Sequence, residues 1–397
     1  MLEKLQPQPI DPILSLVDIV RADARAEKVD LGVGVYIDES GRTPIMAAVK
    51  AAERELLETQ ESKVYLGSFG DVRSTELIVQ LVLGEGLCRT LGGRVRGLQA
   101  AGGVAALRLG AELIARAGAP PIVLGRPTWA IHDTIMMAGG AQVRWVEYFD
   151  PRRQAVDFDA TVDALKSAPS GTPFLVHASC HNPTGADSSP AQWRELAGIV
   201  SARGLVPFVD AAYLGLGDGI DADAAGLRLM LEAAPDALVA VSGSKSFGLY
   251  RERVGALFIL GRTAEVTNVA MTNATAIART LYSVPPDHGA AIVRLVLERE
   301  DLRASWLREL DAMRLRLNAI RADFAARAER AGLPLAPVRD HRGMFSLLPL
   351  TPEQVRALRA DRAIYMPESG RVNLAALHPE RAQYVVDALA AAMGGGR

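Results

Sequence analysis

One lysine of this sequence lies in a setting that suits nucleophilic chemistry. Lys245 follows an apolar run at 237–241 and the small residues at 242–244. A second apolar run begins at residue 256, so the pattern predicts a strand, an exposed loop and a strand. Burial and nearby cations can lower the pKa of an amine enough for it to attack a carbonyl and form a Schiff base. An ordinary loop lysine fits this stretch equally well, so the rest of the chain has to decide.

Polar side chains follow other apolar runs as well. Asn182 comes after the run at 174–178 and is held extended by Pro183, so its amide can point outward as a donor. Asp210 and Tyr213 follow the next run along the chain. In a parallel sheet, ligands collect at the carboxyl ends of the strands. The carboxylate is either a turn residue or the partner of a cationic ring nitrogen, and the phenol can reach the same ligand.

Residues that suit a phosphate surround the lysine. Ser242, Ser244 and Arg253 offer two hydroxyls and a guanidinium, which suit a phosphate dianion. The pair Gly102-Gly103, before a predicted helix at 104–118, offers backbone N–H groups and a positive helix end to the same anion. Together these residues predict a phosphate-bearing aldehyde bound to a lysine.

Two other patterns are weaker. Cys180 and His181 could serve as nucleophile and base, but adjacent residues of an extended chain point to opposite sides. The stretch 31–36 contains G-x-G without a third glycine or a following helix, so a dinucleotide fingerprint is not expected. Glycines inside an apolar strand more often mark close approach of the backbone to a ligand or another chain. No metal site is predicted.

Strands and helices alternate through most of the chain. The strands are predicted from apolar runs at 121–124, 143–146, 174–178, 205–209, 238–241 and 256–260. Because these runs are continuous, we expect burial on both faces and an α/β fold with a mostly parallel sheet flanked by helices. A helix at 44–59 has proline in its first turn, and another begins after a serine cap at Ser189.

The pattern changes after about residue 285. An amphipathic helix at 301–332 is better explained as a bridge between two domains than as a coiled coil. A smaller α+β unit follows, with strands at 343–348, 363–366 and 372–375 and helices at 351–359 and 379–393. The predicted organisation is an N-terminal arm and part of the small domain at 1–43, a large domain at 44–310 and a small C-terminal domain at 311–397.

Bulk properties exclude several classes of protein. A chain of 397 residues is too long for one simple core, which favours two domains. The net charge is −2 and no basic run is present, so no nucleic-acid partner is expected. No apolar stretch reaches the roughly 18–20 residues that span a bilayer, and the N-terminus lacks a signal-peptide core. Only two cysteines occur, which fits a cytoplasmic protein without disulfides and without a membrane partner.

The motifs together resemble those of the aspartate and aromatic aminotransferases, fold type I of the pyridoxal-phosphate enzymes. The resemblance runs from about residue 11 to residue 390. The motifs that carry it are Asn182-Pro-Thr-Gly, Asp210-x-x-Tyr213, Ser242-x-Ser-Lys-x-Phe-Gly-Leu-Tyr-x-Glu-Arg253-Val-Gly and Ser369-Gly-Arg-Val-Asn373. The resemblance implies a pyridoxal 5'-phosphate cofactor, amino acid and 2-oxo acid substrates, a ping-pong mechanism and a homodimer with shared active sites.

The resemblance also implies roles for single residues. Lys245 would hold the cofactor in the large domain and move the proton between the substrate and the cofactor. Asp210 would pair with the pyridinium nitrogen, which strengthens the ring as an electron sink. Asn182 and Tyr213 would contact the phenolic oxygen of the ring. The catalytic residues so implied are Lys245, Asp210, Tyr213 and Trp129.

Other residues would bind the rest of the cofactor and the substrate. Trp129 would stack on the ring, with His132 beneath it as the partner of Asp210. Arg371 would bind the substrate carboxylate together with the backbone N–H of Gly34, and Asn182 and Trp129 would also border the substrate. The phosphate would be bound by hydroxyl, guanidinium and backbone donors of Ser242, Ser244, Arg253, Gly102, Gly103 and Val104. Tyr65, as a cofactor contact, and Arg279, as a substrate contact, match positions that reach into the neighbouring subunit's site.

Several positions depart from the aspartate-selective members of the family. Valine stands at positions 64, 104 and 284 and isoleucine at position 37, and Ala130-Ile131 replaces a polar pattern after Trp129. All make the rim more apolar, which favours an aromatic side chain because buried apolar area contributes roughly 25 cal/mol per Å². Arg279 pairs in the family with a distal carboxylate and can swing aside, which supports dual specificity.

The expected reaction moves the amino group of tyrosine or phenylalanine, and also of aspartate, to 2-oxoglutarate. Three alternatives stay open at this point: an aspartate aminotransferase proper, a β-lyase or decarboxylase on the same fold, and a ligand-sensing domain of a transcription regulator. The last is disfavoured because only 10 residues precede Asp11.

Overall fold

The structure is a computed structural model that describes residues 1–7 and 12–394; residues 8–11 of the predicted arm and residues 395–397 lie outside this description. The helices are α1 (Pro12–Ala22), α2 (Ala47–Thr59), α3 (Val72–Leu91), α4 (Gly102–Arg116), α5 (His132–Ala138), α6 (Phe158–Lys166), α7 (Pro190–Arg203), α8 (Ile220–Ala233), α9 (Ala264–Leu281), α10 (His288–Glu298), α11 (Glu300–Arg330), α12 (Pro352–Arg362) and α13 (Pro379–Gly394). The strands are β1 (Val29–Asp30), β2 (Val95–Ala101), β3 (Ile122–Arg126), β4 (Val143–Glu147), β5 (Phe149–Asp150), β6 (Ala155–Val156), β7 (Pro173–His177), β8 (Val206–Ala211), β9 (Ala237–Ser242), β10 (Val254–Leu260), β11 (Phe345–Leu347), β12 (Ile364–Tyr365) and β13 (Arg371–Asn373).

A seven-stranded sheet forms the centre of the fold, in the order β2-β10-β9-β8-β7-β3-β4. Strands β4, β3, β7, β8 and β9 are parallel, whereas β10 is antiparallel to both of its neighbours. Every residue of β9 and β10 is buried. The expected α/β fold with a mostly parallel sheet is therefore confirmed, because strands covered on both faces read as continuous apolar runs.

Two elements of the sheet region were missed or misplaced by the sequence analysis. Strand β2 was missed because its first three residues are not buried, which weakens the apolar signal. The helix predicted at 44–59 begins at Ala47, so Pro44 lies outside it. The carboxylate of Glu309 accepts hydrogen bonds from the backbone N–H groups of Ala47 (2.8 Å) and Ala48 (3.3 Å). A distant side chain therefore caps this helix, since the first N–H groups of a helix lack partners within it.

The other helices that were predicted individually correspond to α4, α7, α11, α12 and α13, whereas long helices such as α3 and α9 were not predicted. Ser189 caps α7 and Gln192 closes the capping box, with Pro190 in the first turn. Helix α11 covers almost the same residues as predicted. Its apolar stripe is buried throughout, from Leu302 to Phe324.

Two apolar clusters support a division of the chain into a large and a small part. The first lies on one face of the sheet and takes in α11 up to Leu317, and the second takes in α11 from Ile320 together with α12 and α13. Val29 and Leu31 belong to the second cluster, and β1 pairs with β12. We therefore propose that residues 29–31 belong to the small part, as expected, and that the boundary falls between Leu317 and Ile320, later than residue 310.

The long helix is anchored next to Lys245. The indole Nε1 of Trp306 donates a hydrogen bond to the carbonyl oxygen of Ser246 (2.7 Å), and its ring stacks on Phe247 with 4.5 Å between centroids. Trp306 is fully buried. Helix α11, which continues into the small part, thus anchors the loop that carries Lys245.

No helix among the described residues is long and apolar enough to cross a membrane.

Helix α4 lies directly on β8 because one of its residues has no side chain. A Cβ atom at Gly110 would lie 2.3 Å from Cζ of Phe208, whose ring is fully buried. We expect Gly110→Ala to lower the free energy of unfolding by about 1–3 kcal/mol, because the ring and the helix would have to separate. Chemical denaturation of the purified protein measures this change.

Gly198→Ala is the matched control for Gly110→Ala. Gly198 lies in α7, and nothing lies within 4 Å of the place where its Cβ would be. Here alanine should raise the free energy of unfolding by about 0.5–1 kcal/mol, because it loses less conformational freedom on folding than glycine does. Equal effects of the two substitutions would contradict the close packing of α4 on β8.

Candidate active site

The carboxyl ends of β7, β8 and β9 bring most of the predicted residues to one place. Asn182 follows β7, Asp210 lies near the end of β8, and Lys245 follows β9. The cavity at this edge is lined by Gly103, Val104, Leu107, Trp129, His177, Asn182, Asp210, Ala212, Tyr213, Ser242, Ser244, Lys245 and Arg253. Of the described lining residues, Asp210 alone is acidic, and Lys245 and Arg253 are cationic.

Lys245 is largely buried, and its Nζ lies 5.4 Å from the centre of the Tyr213 ring. Burial lowers the pKa of the amine below its ordinary value; Arg253 and Arg371 add to this effect, and Asp210 opposes it. A lowered pKa increases the fraction of neutral amine at a given pH. The neutral amine is the form that attacks a carbonyl and accepts a proton.

Asp210 is only 4% exposed, yet it is held as a carboxylate. Burial by itself would raise the pKa of Asp210, but the hydrogen bond from His132, with a further contribution from the amine of Lys245, outweighs it and lowers the pKa. Nε2 of His132 lies 3.1 Å from the carboxylate, and Nδ1 lies 2.8 Å from the hydroxyl of Thr128. Because a carboxylate only accepts, His132 donates from Nε2 to Asp210, and its Nδ1 shares a hydrogen bond with the hydroxyl of Thr128. The sequence analysis did not identify Thr128, which lies four residues before His132.

A row of aromatic rings continues away from Asp210. The ring of His177 lies 5.2 Å from that of His132 and 4.3 Å from that of His181, which stacks on Tyr148 at 4.1 Å. Burial lowers the pKa of His177 to about 3, despite the opposing charge of Asp210. Burial also lowers the pKa of His181 well below its usual value. Both rings are therefore neutral at pH 7. The sequence analysis gave His177 no role, although it is the one polar residue of the run at 174–178 and the last residue of β7.

Hydroxyl, guanidinium and backbone donors converge beside Lys245. Ser242 and Ser244 are buried, and Nη1 of Arg253 lies 3.4 Å from the hydroxyl of Ser244. The Arg253 guanidinium lies over the first turn of α4, where a Cβ at Gly102 would be 2.4 Å from Nη2. The φ of Gly102 is +81°, a backbone conformation that glycine adopts without strain. Together with the N-terminus of α4, these donors fit a phosphate dianion.

The residues present therefore fit pyridoxal phosphate. The donor set beside α4 suits its phosphate, the charged Asp210 suits its ring nitrogen, and the amine of Lys245 suits its aldehyde. Asn182 donates from Nδ2 to the hydroxyl of Tyr213 (3.2 Å), and burial raises the pKa of Tyr213, so the phenol keeps its proton at neutral pH. Trp129 borders the same cavity and contacts His132 edge-on at 5.4 Å.

The predicted carboxylate-binding residues lie at the edge of this cavity. Arg371, at the start of β13, is buried and donates to the carbonyl oxygen of Gly32 (2.7 Å). Nδ2 of Asn373 donates to the carbonyl oxygens of Val33 and Val35, which holds the chain on both sides of Gly34. A larger cavity of about 530 Å³ adjoins Arg371 and Asn182 and lies between the large and small parts.

Two predicted residues are not brought into the cavity of their own chain. Tyr65 is 85% exposed, and Arg279 is exposed with its guanidinium on the hydroxyl of Ser283. Neither lines the cavity described above. Both side chains have the positions of surface residues in the single chain.

The reason given for excluding a Cys180–His181 dyad was wrong in one respect. The backbone at Cys180 is not extended, because its φ is +55°. The N–H groups of Cys180 and His181 both donate to the carboxylate of Asp187, at 2.6 and 2.8 Å. The thiol lies 4.0 Å from the carbonyl oxygen of Tyr213, whereas the imidazole bonds Thr184. The two side chains thus have separate partners.

The neutral state of His177 makes stability depend on pH. Below its ordinary value of 6.5 the unfolded chain binds a proton at this residue, but the folded ring binds one only near pH 3. The free energy of unfolding therefore falls as the pH falls through this range. In His177→Gln the loss between pH 7 and pH 5 should be smaller by about 2 kcal/mol, measured from denaturation curves at both pH values.

His378→Gln is the control for this pH effect, because the side chain of His378 is 42% exposed. It should leave the loss of stability between pH 7 and pH 5 as it is in the wild type. An unchanged loss in His177→Gln would mean that His177 is not buried in its neutral form.

The chain is similar to known proteins over nearly its whole length. Residues 26–389 match the family model described as aminotransferase class I and II. The tyrosine aminotransferase of Rhizobium meliloti is 50% identical over 95% of this chain and 96% of that protein. The aromatic-amino-acid aminotransferase of Paracoccus denitrificans is 42% identical over 95% of this chain and 96% of that protein. A crystal structure of the aromatic-amino-acid aminotransferase of Burkholderia pseudomallei, covalently bound to pyridoxal phosphate, superposes with a TM-score of 0.94 at 39% identity, covering 99% of each chain. The chain belongs to the aminotransferase class I and II family.

Proposed function

We propose that this protein is a pyridoxal-phosphate-dependent aminotransferase that moves the amino group of tyrosine or phenylalanine to 2-oxoglutarate. The observation that carries the proposal is the convergence, around the amine of Lys245, of a phosphate-type donor set, a buried carboxylate and a buried arginine. When bound, the cofactor supplies a carbonyl for the amine and an electron-withdrawing ring that stabilises negative charge at the substrate α-carbon.

The residues of the cavity would hold the cofactor at three points. Its phosphate would be bound by Ser242, Ser244, Arg253, Gly102, Gly103 and Val104. Asp210 would accept a hydrogen bond from the ring nitrogen, and the bond from His132 would keep it charged while it does so. Asn182 and Tyr213, already paired with each other, would donate to the phenolic oxygen. Trp129 would cover one face of the ring.

Lys245 and Arg371 would act on the substrate. Arg371 would hold the substrate carboxylate through two parallel hydrogen bonds, as arginine does with planar anions, and the N–H of Gly34 would add a third. This orients the α-carbon toward the amine of Lys245. With its lowered pKa, the amine of Lys245 would accept the α-proton and carry it between the substrate and the cofactor.

We further propose a homodimer in which each subunit completes the other's site. Tyr65 and Arg279 support this assembly because both are exposed in the single chain. Val64 and Leu66, which flank Tyr65, are exposed apolar residues in a stretch without regular structure, which suits burial against a partner. In the dimer, Tyr65 would reach the cofactor of the partner and Arg279 the distal end of its substrate.

An apolar rim supports an aromatic substrate. Val104 lines the cavity and is partly exposed, so it adds apolar surface where a hydroxyl residue would add a polar one. The curated relatives named above are aminotransferases of tyrosine and of aromatic amino acids. Aspartate as the preferred donor is the second candidate, and Arg279 is the residue that favours it.

Lys245→Ala tests the central claim. This variant should lose both the absorption band of covalently held cofactor and all measurable aminotransferase activity, because no other amine lines the cavity in the described structure. Its denaturation midpoint should stay near that of the wild type. Lys166→Ala, which removes a surface lysine of α6, is the control. It should keep both the cofactor absorption band and the aminotransferase activity. Full activity in Lys245→Ala would refute the mechanism.

Arg279→Ala separates the two substrate classes. Its kcat/KM for aspartate should fall about 10- to 100-fold, the effect of losing a hydrogen-bonded charge, whereas that for phenylalanine should change by less than about 3-fold. Arg89→Ala, an exposed arginine of α3, is the control. A wild type with a higher kcat/KM for aspartate than for phenylalanine and tyrosine would overturn the aromatic preference.

A further inference from the structure

One short segment of the small part touches both halves of the site. Strand β11 pairs with β13, so Leu347 lies opposite Arg371 and Phe345 opposite Asn373. Just before β11, the N–H of Arg342 donates to the carbonyl oxygen of Gly185 (2.8 Å). Gly185 belongs to the loop that carries Asn182. The segment 342–346 therefore connects the strand of the carboxylate-binding arginine with the loop of a cofactor-contacting amide.

The ring of Phe345 makes the same connection through side chains. Cζ of Arg371 lies 4.6 Å from the centre of this ring. The ring of Tyr213 meets it edge-on, with 6.0 Å between centroids and an angle of 88°. Cation–π and edge-to-face contacts both depend on orientation. A shift of Phe345 would therefore move Arg371 relative to Tyr213.

Arg321 of α11 holds this segment in place. Its guanidinium is 0% exposed and donates to four acceptors, which are the carbonyl oxygens of Arg342, Gly343 and Phe345 and the hydroxyl of Ser346. Among the described residues it forms no ion pair with a carboxylate. Burial lowers the pKa of Arg321 only to about 10, so the side chain remains charged at neutral pH.

Burying the charged side chain of Arg321 costs free energy, which suggests that its hydrogen-bond geometry serves a purpose. The carboxylate of Asp187 attracts this charge without pairing with it directly, so hydrogen bonds supply most of the compensation, whereas an apolar side chain would fill the space without that cost. The surroundings also leave little freedom. A Cβ at Gly185 would lie 2.4 Å from the carbonyl oxygen of Phe345, and one at Gly343 would lie 2.4 Å from Cβ of Cys180. The guanidinium thus fixes the segment 342–346, which packs closely against the loop that carries Cys180 and Gly185.

We propose that Arg321 is a positioning residue for transamination. Its planar guanidinium fixes the segment 342–346. Through Phe345, this segment fixes the position of Arg371 relative to Tyr213 and Asn182. Arg321 touches neither substrate nor cofactor. The proposal rests on the proposed function, because it assigns to Arg371 the substrate carboxylate.

The test compares Arg321→Met and Arg321→Lys with the wild type, all loaded with pyridoxal phosphate. Methionine fills the space without hydrogen-bond donors. Lysine keeps the positive charge but replaces the planar guanidinium with a single ammonium group. The readouts are KM and kcat for phenylalanine and the Kd of 3-phenylpropionate, a carboxylate that lacks the reacting amine. Calorimetry gives this Kd without turnover. Arg327→Met, on the same helix and bonded to Asp323 and Gln383 at the surface, is the matched control.

We expect Kd and KM to rise at least about tenfold in Arg321→Met, because small displacements of a binding group weaken it strongly. Arg321→Lys should give a smaller rise in the same direction, and kcat should change less than KM in both. A purely structural role would lower only the denaturation midpoint and the yield. Wild-type values of Kd and KM in cofactor-loaded Arg321→Met would overturn the proposal.

If Arg321→Met does not fold, the test uses Arg321→Lys alone. An unchanged Kd of 3-phenylpropionate in the lysine variant likewise overturns the positioning role. Wild-type activity, measured first, separates this inference from the one on which it rests. Its absence overturns the proposed function and with it the role of Arg321. An active wild type with unchanged variants overturns the role of Arg321 alone.

Discussion

The site depends on keeping a carboxylate charged where water hardly reaches it. Asp210 lies within the sheet edge, and burial alone would favour its neutral form. The hydrogen bond from His132, itself oriented by Thr128, reverses that preference. Helix α5 has to begin beside β8 for this contact to exist, and α4 has to lie close to β8 at Gly110 for its N-terminus to reach the same cavity. Much of the large part can be understood as the support of this one carboxylate.

The residues that were predicted correctly to lie together have a local signal. Lys245, Asp210 and Asn182 each follow an apolar run, and the parallel arrangement of those runs places their ends at one edge. Ser242, Ser244 and Arg253 are near enough to Lys245 in sequence to share its loop. Nothing more than strand pattern and sheet direction was needed to bring these residues together.

The residues that were missed depend on contacts between distant segments. Arg321 lies 21 to 25 residues from its acceptors, and within the polar residues of an amphipathic helix it cannot be told from a surface arginine. Phe345 has an apolar pattern typical of any strand. The start of α2 was misplaced because its cap, Glu309, lies 262 residues from Ala47. Pattern and propensity describe neighbours along the chain, whereas these features are decided by tertiary contacts.

Helix α11 carries two anchors of opposite kind. Trp306 fastens it to the backbone beside Lys245, and Arg321 fastens it to the backbone beside Phe345. The helix between them is continuous and spans about 22 Å at about 1.5 Å per residue. Adding or removing one residue there would turn one anchor by about 100° around the axis and point it away from its acceptors. The chain can therefore change in length at its surface loops during evolution, but between these two side chains its length is fixed by the site it supports.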